Sequence, residues 1–273
     1  MTTSEAAPPQ AGLGRYGLCT GCAYFPDFLN AGRCVPGDIC IRAHSGRQID
    51  RFLRTNPGEA IHFLGDIFWE RRAIAARHAP RERILDLARD SDEVVRRVVA
   101  SRLPAEELVR LLGDPDRDVR LEVASRIPEA YLPRMVDDPD YLIRATVARR
   151  LPHGKLMRLA NDPDREVRKV VAQRLPPFAL HLLANDPEPE VRALVAERAL
   201  PGVAVTLLRD PEWWVRLAAV GNAPVEFLPP LAEDPEPEVR EAVAQRLADE
   251  PAPPPPYSIP VTPNPGPTVK ESS

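Results

Sequence analysis

Asp162 to Pro176 read DPDREVRKVVAQRLP, and that pattern of residue types recurs along the chain at unchanging spacing. Aspartates stand at Asp66, Asp90, Asp114, Asp138, Asp162, Asp186, Asp210 and Asp234. Six residues after each comes an arginine, at Arg72, Arg96, Arg120, Arg144, Arg168, Arg192, Arg216 and Arg240. The period is 24 residues over eight units with no insertion. A strict period in the range of about 20–50 residues signals a stacked array, in which one unit cannot bury its apolar face alone and its neighbours complete the core.

The quoted unit also carries the reasons for its own local structure. Asp162 is placed to cap a helix N-terminus, Pro163 suits the first helical position, and Asp164 and Glu166 sit where the helix dipole favours acids. The helix should end near Arg174, because Pro176 pushes Leu175 out of the α region. The remainder, Pro177 to Asn185, is long enough for a short α or 3₁₀ helix with Leu180 and Leu183 turned inward. Each unit is then a helix of about three turns antiparallel to a shorter one. The fold class expected is all-α, a solenoid of 24-residue repeats, each an α helix plus a short α or 3₁₀ helix.

On the helical wheel Val167, Val171, Leu175 and Ala172 share one face, and Arg168 falls inside that apolar arc. A charge there is costly unless paired. Its own aspartate is six residues back on another side of the helix, so the partner expected is the aspartate of a neighbouring unit, giving an Asp–Arg ladder between repeats. A second column stands twelve residues after each aspartate: His78, Arg102, Arg126, Arg150, Arg174, Arg198, Asn222 and Arg246. It lies on the rim of the apolar arc. One reading is a stripe for an anionic partner, nucleic acid included. The favoured reading is stems covering the core edge with heads near helix C-terminal carbonyls.

All four cysteines, Cys19, Cys22, Cys34 and Cys40, fall in the first forty residues as C-x2-C-x11-C-x5-C. Two disulfides would need an oxidising compartment, and Met1 to Gln10 lacks the basic start and apolar stretch of a secretory leader. Four clustered thiolates suit a metal. Structural zinc usually sits between two close pairs, whereas here the second pair is spread over a loose loop holding Pro36 and Gly37, which favours a bulky iron–sulfur cluster. Spacing leaves both open. His44, four residues after Cys40, is read as a solvated loop histidine rather than as a ligand.

Composition fits a small unit copied many times: aromatics are 5% of residues, and 28% are charged with a formal net charge of −4. That balance is opposite to the strongly basic character of dedicated nucleic-acid binders. No apolar run approaches the roughly 20 residues needed to span a bilayer, so no membrane role is expected and the chain reads as cytoplasmic. The expected organisation is a disordered start over 1–14, a metal module and joint over 15–64, about eight repeats over 65–248, and a disordered proline-rich tail over 249–273.

Four N-terminal cysteines followed by repeats of the form D-P-x-x-x-V-R-x-x-V-A-x-R-L-P resemble the leucine-rich repeat variant proteins of bacteria, over roughly residues 15 to 248. The resemblance implies an N-terminal [4Fe–4S] module held by Cys19, Cys22, Cys34 and Cys40, ahead of a right-handed solenoid of alternating α and 3₁₀ helices. It also implies a setting near nitrogen-fixation genes. HEAT-like repeats are the alternative at the level of fold, though their units are usually longer.

Phosphate loops, metalloprotease motifs and nucleophile elbows are all missing from the sequence, and His44, His62, His78, His153 and His181 are dispersed. The chain therefore reads as a non-enzyme: an iron–sulfur adaptor that docks a protein partner and transfers an electron or reports redox state, with a nucleic-acid-binding solenoid carrying a structural metal as the alternative. Trp69, Tyr141 and Trp213 occupy one repeat position and are the candidate partner anchors. Trp214 follows directly, where other units usually carry small or polar residues.

Overall fold

A computed structural model describes residues 17–249 and divides the chain into two compact units, 1–176 and 177–273. The termini expected to be unstructured, 1–14 and all of 249–273 except Asp249, lie outside the described residues.

In the first unit, six long helices follow one another: α1 (Gly46–Thr55), α2 (Trp69–His78), α3 (Glu93–Arg102), α4 (Arg117–Arg126), α5 (Tyr141–Arg150) and α6 (Arg165–Arg174). Between them run 3₁₀ segments such as Pro57–Phe63, Ala105–Leu111 and Glu129–Arg134. The second unit holds α7 (Pro189–Arg198), α8 (Trp213–Asn222) and α9 (Pro237–Ala248). Its short elements are the 3₁₀ helix Pro177–Leu183, the α helix Pro201–Leu207, and the 3₁₀ turns Val225–Phe227 and Pro229–Glu233. From α2 to α9 every long helix begins 24 residues after the one before. Among the described residues the β structure is one isolated bridge between Val35 and Ile39.

Helix ends follow the prolines. α6 stops at Arg174 and Leu175 is extended at ψ 143°, as the proline after it demands. The start differs from expectation. Asp164, not Asp162, is the N-cap of α6, accepting from the Glu166 amide, and Pro163 lies in the turn before the helix. Asp162 instead accepts the Asp164 amide at 2.9 Å. All eight aspartates of the column, from Asp66 to Asp234, close the same two-residue side-chain turn. An aspartate can cap a turn as readily as a helix, and spacing alone does not separate the two.

The apolar arc is as expected, with Val167, Val171 and Ala172 fully buried, Leu175 nearly so, and Leu180 and Leu183 turned inward in the second unit. Val170 and Val98 are buried as well. A long helix within the stack is flanked on two sides, α3 by both α2 and α4, so its buried face is wider than one wheel arc.

The ladder is present in both units. Arg72, Arg96, Arg120 and Arg144 each donate Nε and Nη2 to the two carboxylate oxygens of the aspartate one repeat on, Asp90, Asp114, Asp138 and Asp162, at 2.7–3.2 Å. Arg192 and Arg216 do the same to Asp210 and Asp234. The third guanidinium nitrogen of each bonds the backbone carbonyl of its own unit's aspartate, for Arg144 at 2.8 Å. Each arginine thus ties its own turn to the next one, with all three guanidinium nitrogens engaged.

The rim column caps helix ends. Arg102 donates to the carbonyls of Ala76 and Ala79, Arg126 to Ala100 and Leu103, Arg150 to Ala124 and Ile127, and Arg174 to Ala148 and Leu151. In the second unit Asn222 and Arg246 occupy the same role. These are the carbonyls that the preceding helix leaves without an intrahelical partner. His78, the first of the column, turns instead to Asp50 of α1, with Nε2 2.8 Å from Oδ1.

Candidate metal centre

Before α1 the chain folds as a 3₁₀ turn at Gly17–Cys19, a one-turn helix at Asp27–Asn30 and a tight turn at the Val35–Ile39 bridge. Gly21, Gly32 and Gly37 have φ of 69°, 67° and 81°. That left-handed backbone lets the chain reverse immediately before Cys22, Cys34 and the approach to Cys40.

The segment between Cys34 and Cys40 is not the loose loop expected. Val35 and Ile39 exchange backbone hydrogen bonds at 2.9 Å, the Gln48 side chain reaches the Gly37 carbonyl, and Arg51 pairs with Asp38. The turn is thereby pinned to α1. Cys40 itself donates its amide to the Gln48 carbonyl at 3.3 Å.

The four thiols line one small cavity together with Leu18, Tyr24, Phe25, Pro36, Ile39, Ile41 and Phe52. Cys40 is buried, and Cys19, Cys22 and Cys34 are half-buried. Among the described residues no three His, Cys, Asp or Glu side chains meet closely enough to clasp a single ion. Burial pushes the Cys34 thiol up, and the charges of Cys19, Cys22 and Cys40 push it further. Burial also raises Cys19, with Cys40 and Cys22 adding to it and Arg42 opposing. Cys19 and Cys34, whose ionisation burial and the neighbouring thiolates disfavour, share an apolar recess with Cys22 and Cys40, a donor set that positive charge would relieve. That chemistry fits a metal or metal cluster taken up as thiolate.

Support around the thiols comes from residues the spacing argument did not reach. Asn56 is buried at the end of α1, accepting from Arg33 Nε at 2.8 Å and donating to the carbonyls of Arg33 and Phe52 at 2.8 and 2.9 Å. It fixes the residue before Cys34 to the helix, and the Asn-Pro pair that ends α1 is the sequence signal that marks it. The Arg33 guanidinium lies 3.8 Å from the Phe28 ring centre, and Tyr24, Phe28 and Phe52 pack as an aromatic floor. Tyr24 donates to Glu59 at 3.1 Å; burial and then that carboxylate raise its pKa and keep the phenol protonated. Arg42 donates to the Thr20 carbonyl at 2.6 Å, between Cys19 and Cys22 in sequence. His44 is exposed.

The family model described as "LRV protein FeS4 cluster" matches residues 13–61, the segment just described. The "Leucine rich repeat variant" model matches residues 165–188 and 213–236. A solved structure described as "a leucine-rich repeat variant with a novel repetitive protein structural motif" is 54% identical, covers 84% of this chain and 97% of its own, and superposes with a TM-score of 0.76. The chain belongs to the leucine-rich repeat variant family. Its N-terminal segment is an iron–sulfur module of that family, and its repeats share the solenoid class of the solved leucine-rich repeat variant. A curated relative from Rhodobacter capsulatus, an uncharacterized 27.7 kDa protein in the nifB 3' region, is 40% identical over 92 residues. That match spans 34% of this chain and 37% of the relative's length. An engineered protein of 15% identity aligns over 76% of this chain and 86% of its own, with a TM-score of 0.38. Among the described residues no helix is long and apolar enough to cross a membrane.

Proposed function

We propose that Cys19, Cys22, Cys34 and Cys40 hold a [4Fe–4S] cluster and that the repeats serve as a protein-interaction adaptor for it. The observation that carries the reading is the convergence of all four thiols on one cavity within the segment matched by the iron–sulfur family model. When bound, the cluster supplies one-electron chemistry or a redox signal. The protein's own part is to bury Cys40, to brace the Cys34 turn through Asn56 and Gln48, and to set Arg42 near Cys19, where a cation favours the thiolate form.

A non-enzymatic role is supported by how the repeat residues are spent. Ladder arginines are committed to aspartates and rim arginines to helix-end carbonyls, which argues against the phosphate-binding alternative. Exposed aromatics favour a protein partner: Tyr141 is 42% exposed in the first unit and Trp213 36% in the second. The setting proposed is a reducing cytoplasm, and the R. capsulatus relative beside nifB extends this to nitrogen fixation.

The test is direct. Anaerobically purified protein should be brown, with about four irons and four sulfides per chain. Colourless protein with one zinc would overturn the cofactor. Trp213→Ala should weaken capture of the native partner by about tenfold or more with iron content unchanged, since an aromatic anchor contributes about 2 kcal/mol or more. Duplex DNA binding at physiological salt that is indifferent to Trp213 would reject the adaptor.

A further inference from the structure

The first unit contains a cleft of roughly 670 Å³ that the thiol site does not use. It runs between α1 and α2, with Val94 of α3 at its end, and its volume lies within the roughly 300–1,000 Å³ of small-molecule sites. Its charged lining is Arg47, Arg51, Arg54 and Arg77 against Asp50 and Glu70, an excess of two positive charges on a chain of net −4. The local sign is opposite to the whole.

Several of these charges are already answered. Asp50 pairs with Arg54 and with His78, and Arg51 pairs with Asp38. The Glu70 carboxylate lies against Gly46 at the start of α1, leaving no room there for a Cβ. That places it at the positive end of the helix dipole. Arg47 and Arg77 are left without a hydrogen bond or ion pair to any described residue, and both are exposed at the cleft. Trp69, 40% exposed, and the apolar Ala73, Ile74 and Val94 complete the lining.

We propose that this cleft binds a nucleotide, with phosphoryl oxygens on Arg47 and Arg77 and the base stacked on Trp69. Guanidinium is the side chain best matched to phosphate, and it is present twice without a protein partner. One aromatic face supplies stacking that any base can use. A bare anion would use the arginines and leave the tryptophan idle.

Isothermal titration of the anaerobically purified full chain with ATP, at low salt, tests this. ATP should bind at least about tenfold more tightly than tripolyphosphate, and adenosine should not bind measurably, because both the ring and the charge are needed. Arg47→Ala combined with Arg77→Ala should weaken ATP by about tenfold or more. Trp69→Ala should weaken ATP by about fivefold and leave tripolyphosphate unchanged. Arg134→Ala, an exposed arginine far from the cleft in sequence, should change neither, and circular dichroism verifies that each variant is folded. Absence of ATP binding, tripolyphosphate binding as tightly as ATP, or equal losses in the Arg134 variant would each overturn the proposal. Octaglutamate binding as tightly as ATP would also overturn it and give the cleft to an acidic protein segment.

Discussion

Arg144 and Arg174 are both arginines with half or more of their surface removed from water, yet they are held in different ways. Arg144 faces Asp162 in a bidentate pair whose carboxylate is 2% exposed, and its remaining nitrogen is bonded to the Asp138 carbonyl. Removing it strands a buried carboxylate, so Arg144→Ala should destabilise the first unit by about 3–5 kcal/mol. Arg174 donates to two helix-end carbonyls at 2.7 Å. Read only as a rim residue it would cost under about 1 kcal/mol, but charge-assisted bonds to unsatisfied carbonyls raise that to about 1–2 kcal/mol. Denaturant midpoints of the two variants check the ordering. Equal shifts would reject the distinction between ladder and rim. Sequence spacing placed both columns and their kind of partner; the direction of the ladder, from each arginine to the following unit, needed the stacking of the turns. The same spacing misassigned the helix start, because Asp162 and Asp164 compete for one role and the loser caps a turn.

At the scale of the element, the join between α3 and α4 carries an ion pair beyond the ladder. Asp116 is the N-cap of α4, accepting from the Val119 amide at 3.0 Å, and Arg97 of α3 clasps it with two bonds of 2.8 and 2.7 Å. The Arg97 hydrogen bonds, with the helix amides and against the effect of burial, hold its pKa down at about 2. A carboxyl whose folded pKa lies below its unfolded value near 3.9 stabilises the fold above that value and loses its contribution as pH falls towards 2. Asp116→Asn keeps a good cap but drops the charge. It should be less stable by about 1–2 kcal/mol at pH 7, a figure kept modest because Arg97 is 41% exposed, with the difference closing between pH 4 and pH 2. A difference independent of pH would show that the cap, not the ion pair, is what Asp116 supplies. The elements themselves were legible because each unit repeats its own punctuation. The thiol site was legible only as four residues; the pinned turn before Cys40 and the Asn56 brace were not, since the Asn-Pro pair marks the end of α1 but not the contacts by which α1 holds the residues around Cys34 and Cys40.

For the whole molecule, the question is whether the N-terminal module is a folding requirement or an appendage. The repeats bury their own core: Val95, Val99, Leu108, Val123 and Leu132 in the first unit and Val191, Val195, Val215 and Val239 in the second are fully buried, on elements that pack against neighbouring repeats. Each unit also has its own rungs of Asp–Arg pairs. Stability in such arrays is close to a sum over nearest neighbours, so damage at one end should stay there. Cys19→Ser removes one ligand from a shared cavity, and a cluster short of one thiolate should be lost. Iron and sulfide should fall to background in this variant while most of the helical circular dichroism persists, and new proteolytic cuts should be confined to residues before α2. The join at α2 sets that limit, since His78 reaches back to Asp50 while its own helix end is capped by Arg102 from the next repeat. Collapse of the entire helical signal in Cys19→Ser would mean that the module nucleates the stack, and that the repeats do not stand without it.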